Sequence, residues 1–210
     1  MTFVVIPPEV LTNLPHPVRQ TIYTDSNALV RWVFWTRLRQ LNRMLPEARR
    51  VLDFGCGEGA LLPTLSRRYS EVTGVDMHTD SAGDICTAFH LENVRLVEGD
   101  AFRVKLPTDH FDLVTAADVL EHFQELGPAL DLIWSLLKPG GCLAISGPTE
   151  NGVYALGRSL FGYTKPADHY HTIDDIRAQV QKRFDLQRYA HAPFGLPWVS
   201  PFGLLLAKKR

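Results

Sequence analysis

Cysteine is scarce in this chain of 210 residues, with Cys56, Cys86 and Cys142 the only three. An odd number cannot all pair, and no two stand in C-x-x-C spacing, so nothing suggests a disulfide framework, a zinc ribbon or a dithiol redox centre. No window approaches the roughly 18 uncharged residues that a membrane span needs. No charged stretch followed by an apolar one opens the chain as a secretory leader would, and the expected setting is a reducing cytoplasm. Excess charge of one sign is also missing. The 22 Lys and Arg against 23 Asp and Glu leave a formal net charge of -1, which gives no global steering toward nucleic acid or anionic membrane. Repeats and low-complexity tracts are absent, and the length suits one domain with a substantial core.

What the chain does have is Val51-Leu52-Asp53-Phe54-Gly55-Cys56-Gly57-Glu58-Gly59, an apolar strand running into three alternating glycines. Arg50 to Phe54 reads as a buried strand and Glu58 to Arg68 as the following helix, so the glycines fall where backbone must approach a ligand closely. A Cβ there would block that approach. Gly55, Gly57 and Ala60 also fit the dinucleotide fingerprint G-x-G-x-x-G/A, which alone is a weak signal. Charge separates the two readings. A pyrophosphate at the helix N-terminus would be repelled by Asp53, whereas a ligand with an ammonium and a sulfonium, as in S-adenosylmethionine, would be attracted.

The rest of the chain alternates strands near 50–54, 71–76, 94–98, 111–116 and 141–147 with helices near 58–68, 80–90 and 125–137. Such alternation predicts a parallel sheet covered on both faces. Helices near 151–161 and 173–183 follow, then strands near 184–190 and 202–207. Pro193, Gly195, Pro197 and Pro201 between these last two favour a long hairpin-like connection. Residues 1–48 read as an N-terminal helical extension and 49–210 as the domain proper.

Asp53 to Gly59 resembles motif I of the class I S-adenosylmethionine-dependent methyltransferases. Val72 to Asp76 resembles that family's second strand with its terminal acid, and Gly99-Asp100-Ala101 the loop after the third. Phe111 to Phe123 resembles the fourth strand with its Leu120-Glu121-His122 ending, and Leu137-Lys138-Pro139-Gly140-Gly141 the turn into the fifth. Together they cover about residues 50–148, and five ordered motifs are far more specific than one glycine loop. The resemblance implies a doubly wound, mostly parallel seven-stranded α/β sheet with a closing antiparallel strand and helices on both faces. It implies S-adenosylmethionine as cofactor, S-adenosylhomocysteine as product, and a small-molecule or lipid-like acceptor.

Cofactor-binding candidates are then Asp53, Gly55, Cys56, Gly57 and Gly59 in the glycine turn, and Asp76, placed to accept hydrogen bonds from both ribose hydroxyls. By resemblance, Met77 packs on adenine, Asp100 and Ala101 read its edge, and Ala117 and Asp118 lie beside the methionine part. Asp76 and Asp100 could instead serve their own turns. Asp118 could instead be an N-cap, with Glu121 completing a capping box.

Catalytic candidates are His122, His169, Tyr170 and His171. His122 can act as a general base near neutral pH, or can be structural. Asp168-His169-Tyr170-His171 is the densest polar cluster outside the glycine and strand-end motifs, open to acceptor binding, base catalysis or loop packing. Metal is not expected, because only Asp168 offers itself as a further ligand. Thr172 to Asp175 supply a helix cap.

Residues 29–45 form a helix apolar on more than one side with interleaved arginines, a lid over the cofactor or a peripheral membrane contact. Phe194 to Val199 either line the same pocket or pack on the core. The arginines also admit an RNA acceptor, though no RNA-binding module is visible. A non-catalytic cofactor-binding scaffold with an exposed apolar patch is the remaining alternative. The oligomeric state has no signature.

Overall fold

A computed structural model describes residues 2–16, 21–160, 162–164 and 166–210. Its strands are β1 Arg50–Phe54, β2 Glu71–Asp76, β3 Val94–Glu98, β4 Phe111–Ala117, β5 Leu137–Pro148, β6 Phe184–Ala192 and β7 Phe202–Lys209. The helices are α1 Pro8–Thr12, α2 Ala28–Met44, α3 Leu62–Arg68, α4 Asp80–Ala88, α5 Leu126–Leu136, α6 Gly152–Leu160 and α7 Ile173–Val180. One seven-stranded sheet has the order β3-β2-β1-β4-β5-β7-β6. β1 pairs parallel with β2 and β4, as do β2 with β3 and β4 with β5. β7 runs antiparallel between β5 and β6. This is the doubly wound sheet with a closing antiparallel strand that the motifs imply.

Side-chain alternation along each strand divides the apolar residues between two cores. Val51 of β1 and Leu204 of β7 face Trp35, Leu38 and Leu41 of α2 and Leu65 of α3. Leu52 and Phe54 of β1 and Leu143 of β5 face Leu130 and Ile133 of α5 and Ile176 of α7. Leu38 and Leu41 are almost wholly buried, and at roughly 1.5–3 kcal/mol each they hold α2 against the sheet as part of its core.

The chain steps outward from β1 to β3, then returns to place β4 on the other side of β1. That reversal opens a crevice at the carboxyl ends of β1 and β4, where ligands bind in open α/β sheets.

Several boundaries differ from expectation, α7 for one ending at Val180 instead of near 183. The helix expected near 58–68 starts only at Leu62, because Gly57 and Gly59 take φ of +50° and +80°, outside the right-handed helical region. The expected turn at Leu137 to Gly141 is absorbed into β5 as a bulge. Phe111 pairs with Leu137 but Leu113 pairs with Cys142, and the extra residues bend the strand. Farther on, Thr172 and Asp175 form the expected capping box of α7. α6 ends at Leu160, and Phe161, the end of the expected helix, lies outside the described residues.

Candidate active site

The glycine turn is fastened to the end of β2. Gly55 N–H and Cys56 N–H both donate to Val75 O, at 2.8 and 3.1 Å, and Gly57 N–H donates to Asp76 Oδ2 at 2.8 Å. Gly55 sits at φ +74° with its Cα against Val119, where any Cβ would overlap that side chain. At Gly57, also left-handed, a Cβ would point into open space, so backbone is what this turn presents to a ligand.

A cavity of about 150 Å³ opens beside this turn. Asp53, Gly55 and Cys56 line it from the β1 side, and Asp76 from the end of β2. Ala117, Asp118 and His122 line it from β4 and beyond, and Tyr23, Arg37 and Leu38 close it from the N-terminal segment.

Asp53 is 2% exposed. Its carboxylate accepts one hydrogen bond from the hydroxyl of Thr115, on β4, at 2.7 Å. Burial pushes its pKa up to about 7, opposed by the Thr115 bond and reinforced by the charge of Asp76. Removal from water penalises the ionised form, and a neutral hydroxyl only partly compensates. Burial, with Asp53 and Asp76 adding to it, likewise raises the Cys56 thiol, which stays neutral and is not a nucleophile.

Asp118 faces the same cavity but pairs with Arg37 of α2. Ser146 Oγ donates to its other carboxylate oxygen at 3.2 Å. Arg37 is 3% exposed and also donates to Tyr23 Oη at 2.9 Å. Burial works against the guanidinium charge, yet the neighbouring acids, led by Asp118, leave its pKa raised. The capping reading of Asp118 is therefore corrected. Asp118 takes φ +53°, Leu120–His122 is a 3-10 turn whose N-cap is Val119, and no side chain caps it. Asp118 turns to the sheet and Arg37 because a buried carboxylate is stabilised more by a guanidinium than by a backbone amide.

The 3-10 turn carries the second half of the site. Glu121 is 1% exposed, its Oε2 buried with no hydrogen-bond partner among the described residues, and burial followed by the charge of Asp118 holds its pKa well above the usual carboxylate range. His122 Nδ1 lies 2.9 Å from Asp168 Oδ2. His169 stacks edge-on against His122 at 4.9 Å between ring centroids, with its Nδ1 3.4 Å from Glu150 Oε1. Burial keeps the His169 imidazole below its ordinary value, against the pull of Glu150. Arg158 grips Glu150 through both oxygens, at 3.0 and 2.5 Å.

The sequence cluster at 168–171 thus splits. His169 and Asp168 join His122, whereas His171 donates from Nε2 to Gln124 O at 3.2 Å and Tyr170 is exposed, its N–H donating to Glu121 O at 2.8 Å. The expectation that only Asp168 could extend a ligand set is also corrected. Glu121, His122 and His169 each offer a ligand atom, all within 4.8 Å of one another.

Other candidates lie outside the cavity lining. Gly59 packs its backbone on Ala82 of α4. Met77 is exposed. Asp100 Oδ1 accepts from Phe102 N–H at 3.0 Å, the local turn role left open above, with Ala101 following it. The loop from Phe194 to Val199 neither lines the cavity nor is buried. Phe194, Leu196 and Trp198 are exposed, and Phe194 lies 6.0 Å from the exposed Trp32 ring of α2. Sequence reasoning missed Arg37 as part of the site. The available signal was its spacing, three after Phe34 and four before Leu41, which puts a cation on the apolar face of α2.

Residues 52–145 match the family described as a methyltransferase domain. An uncharacterized methyltransferase of Mycobacterium tuberculosis is 35% identical over 106 residues, 50% of this chain and 54% of that one. A ubiquinone biosynthesis O-methyltransferase of Nitrobacter winogradskyi is 30% identical over 168 residues, 71% of this chain and 62% of that one. The chain spans about half the length of the curated relatives it matches. The N-methyltransferase NodS of Bradyrhizobium japonicum, solved with S-adenosylhomocysteine, shares the fold at a TM-score of 0.66, with 17% identity over 96% of each chain. The motif order, the glycine turn and this family match agree: residues 52–145 are a methyltransferase domain, in the fold that S-adenosylmethionine-dependent methyltransferases share.

Proposed function

We propose that this chain transfers the methyl group of S-adenosylmethionine to a small-molecule or lipid-like acceptor. Asp53 carries the reading. A buried carboxylate that accepts from the Thr115 hydroxyl and faces a cavity beside the glycine turn suits the cofactor's ammonium, because the incoming cation supplies the compensation that a neutral hydroxyl gives only in part. The Gly55 to Gly57 backbone would pass close to the methionine chain, with Ala117 and Asp118 on its far side. Asp76 would take the ribose hydroxyls with the lone pairs left free by Gly57 and His78. The cavity is below the ~300 Å³ of typical ligand pockets. It would enclose the amino-acid end, and the nucleoside would lie in the open groove toward Met77, Asp100 and Ala101.

The bound cofactor supplies an activated methyl group. What remains for the chain is alignment in a water-poor site, an effect worth roughly 7–11 kcal/mol when geometry is good. α2 serves as a fixed cover, since its Arg37 and Leu38 close the cavity while Trp35 and Leu41 sit in the core. Among the described residues no helix is long and apolar enough to cross a membrane.

Titration calorimetry with S-adenosylhomocysteine tests the reading. Wild type is expected to bind in the micromolar range and Asp76→Ala at least tenfold more weakly, with no competition from NADH. Absence of binding by the wild type removes the proposal.

A further inference from the structure

We propose that Glu121, His122 and His169 form a binding site for one divalent transition-metal ion of the Zn²⁺ class, placed at the mouth of the cavity. Three independent features converge there. Glu121 Oε2 is buried without a hydrogen-bond partner among the described residues, and the nearby cation, Arg37, is already committed to Asp118 and Tyr23. An isolated buried carboxylate is costly, and a bound cation relieves that cost.

The two histidines are arranged as ligands rather than as a hydrogen-bonded pair. Each has its Nδ1 facing a carboxylate, His122 toward Asp168 at 2.9 Å and His169 toward Glu150 at 3.4 Å. A carboxylate on one ring nitrogen fixes the proton there and leaves Nε2 as the lone-pair donor, the outer-shell pattern found around metal-bound imidazoles. Glu150 is itself anchored by Arg158, so the His169 ring is held from behind.

Ligand atoms lie within 4.8 Å of one another. Metal bonds of ~2.0–2.2 Å place ligand atoms ~3–3.5 Å apart, so the cluster closes by about an ångström as the ion enters. Two imidazoles and one carboxylate form a borderline donor set that favours Zn²⁺, Co²⁺ or Fe²⁺ over Mg²⁺ or Ca²⁺. Three protein ligands leave a position open.

His122 also lines the cavity, which gives the open position a use. For this role alone the inference rests on the reading under Proposed function. A hydroxyl of the acceptor bound there loses its proton to solvent more readily. Its oxygen lone pair then forms the O–CH3 bond as the CH3–S bond breaks, the bonding pair going to sulfur, and the products are a methyl ether and a neutral thioether. The acceptor class so defined is an alcohol or phenol.

The test uses the full chain, freed of metal with a chelator and titrated with CoCl2. The site predicts one equivalent bound, with visible absorption bands of a low-coordinate Co²⁺ centre. Glu121→Gln and His169→Ala are each expected to weaken binding at least tenfold. Acetohydroxamate, an oxygen chelator, is expected to shift the bands, and unmoved bands would overturn the acceptor role. No stoichiometric Co²⁺, or equal affinity in both variants, overturns the site. S-adenosylhomocysteine affinity, measured in parallel, separates the two readings. If Co²⁺ binds and the cofactor product does not, the methyl-transfer reading fails while the metal site stands; the converse removes only the metal site.

Discussion

Asp53 and Asp118 end neighbouring parallel strands and face one cavity, yet their surroundings differ. Asp118 has a guanidinium from α2 and a serine hydroxyl. Asp53 has the hydroxyl of Thr115 and an acidic neighbour in Asp76. Paired with Arg37, Asp118 is compensated in part, burial still holding its pKa above the usual carboxylate value, and it binds the N-terminal helix to the sheet. A buried acid without a cation destabilises the empty protein and in return holds affinity for a cationic ligand. One pole of the cavity is architectural and the other is functional, although both present the same side chain.

Breaking the architectural pole has the largest expected effect. Arg37→Met leaves Asp118 buried and uncompensated, and about 3–5 kcal/mol of stability should be lost in urea unfolding. Adding Asp118→Asn should restore much of it, and a single-variant loss below about 1 kcal/mol would contradict the assignment.

The functional pole should respond in the opposite direction. The folded pKa of Asp53, about 7, lies above its ordinary value of 3.8. Between those pH values the unfolded chain ionises while the folded one keeps its proton, so stability falls as pH rises and the deficit is complete above pH 7. At 1.36 kcal/mol per pH unit the deficit is at most about 4 kcal/mol. Asp53→Asn should therefore stabilise the ligand-free protein by about 1–3 kcal/mol at pH 8 while weakening S-adenosylhomocysteine binding at least tenfold. A variant that loses both stability and binding would count against the comparison.

A smaller effect sharpens the same point. Cofactor-product affinity in the wild type should rise about tenfold between pH 6 and 8, as Asp53 ionises, and should be nearly flat in Asp53→Asn. The smallest change is expected at Asp100, which is half-buried and engaged by Phe102 N–H and Arg103. Asp100→Ala should alter stability by less than about 1 kcal/mol and affinity only a few-fold, both read in the same titrations.

The features legible from sequence are those built by neighbours in the chain. The strand, its glycine turn and Asp53 are contiguous, and Asp76 follows at the spacing set by one helix and one strand. The Thr172 and Asp175 cap was equally readable, because it closes within four residues. Asp118 and Glu121 carry the same local cap pattern, and there the pattern misled. Arg37, distant in sequence, draws Asp118 away, while burial claims Glu121. His122, Glu150 and His169 belong to separate segments after β4 and β5. No local spacing announces that cluster, and the contiguous run at 168–171 suggested a grouping that the fold divides.

The sequence by itself determined the alternation of strands and helices, the backbone-presenting turn and the placing of an acid at its entrance, because these depend on periodicity, φ and short-range order. Only the tertiary structure decided which acids are compensated and which side chains share a site. Compensation depends on the distance between charges in a low-dielectric interior, and that distance exists only after α2, the 3-10 turn and the segment before α7 have been packed against the same edge of the sheet.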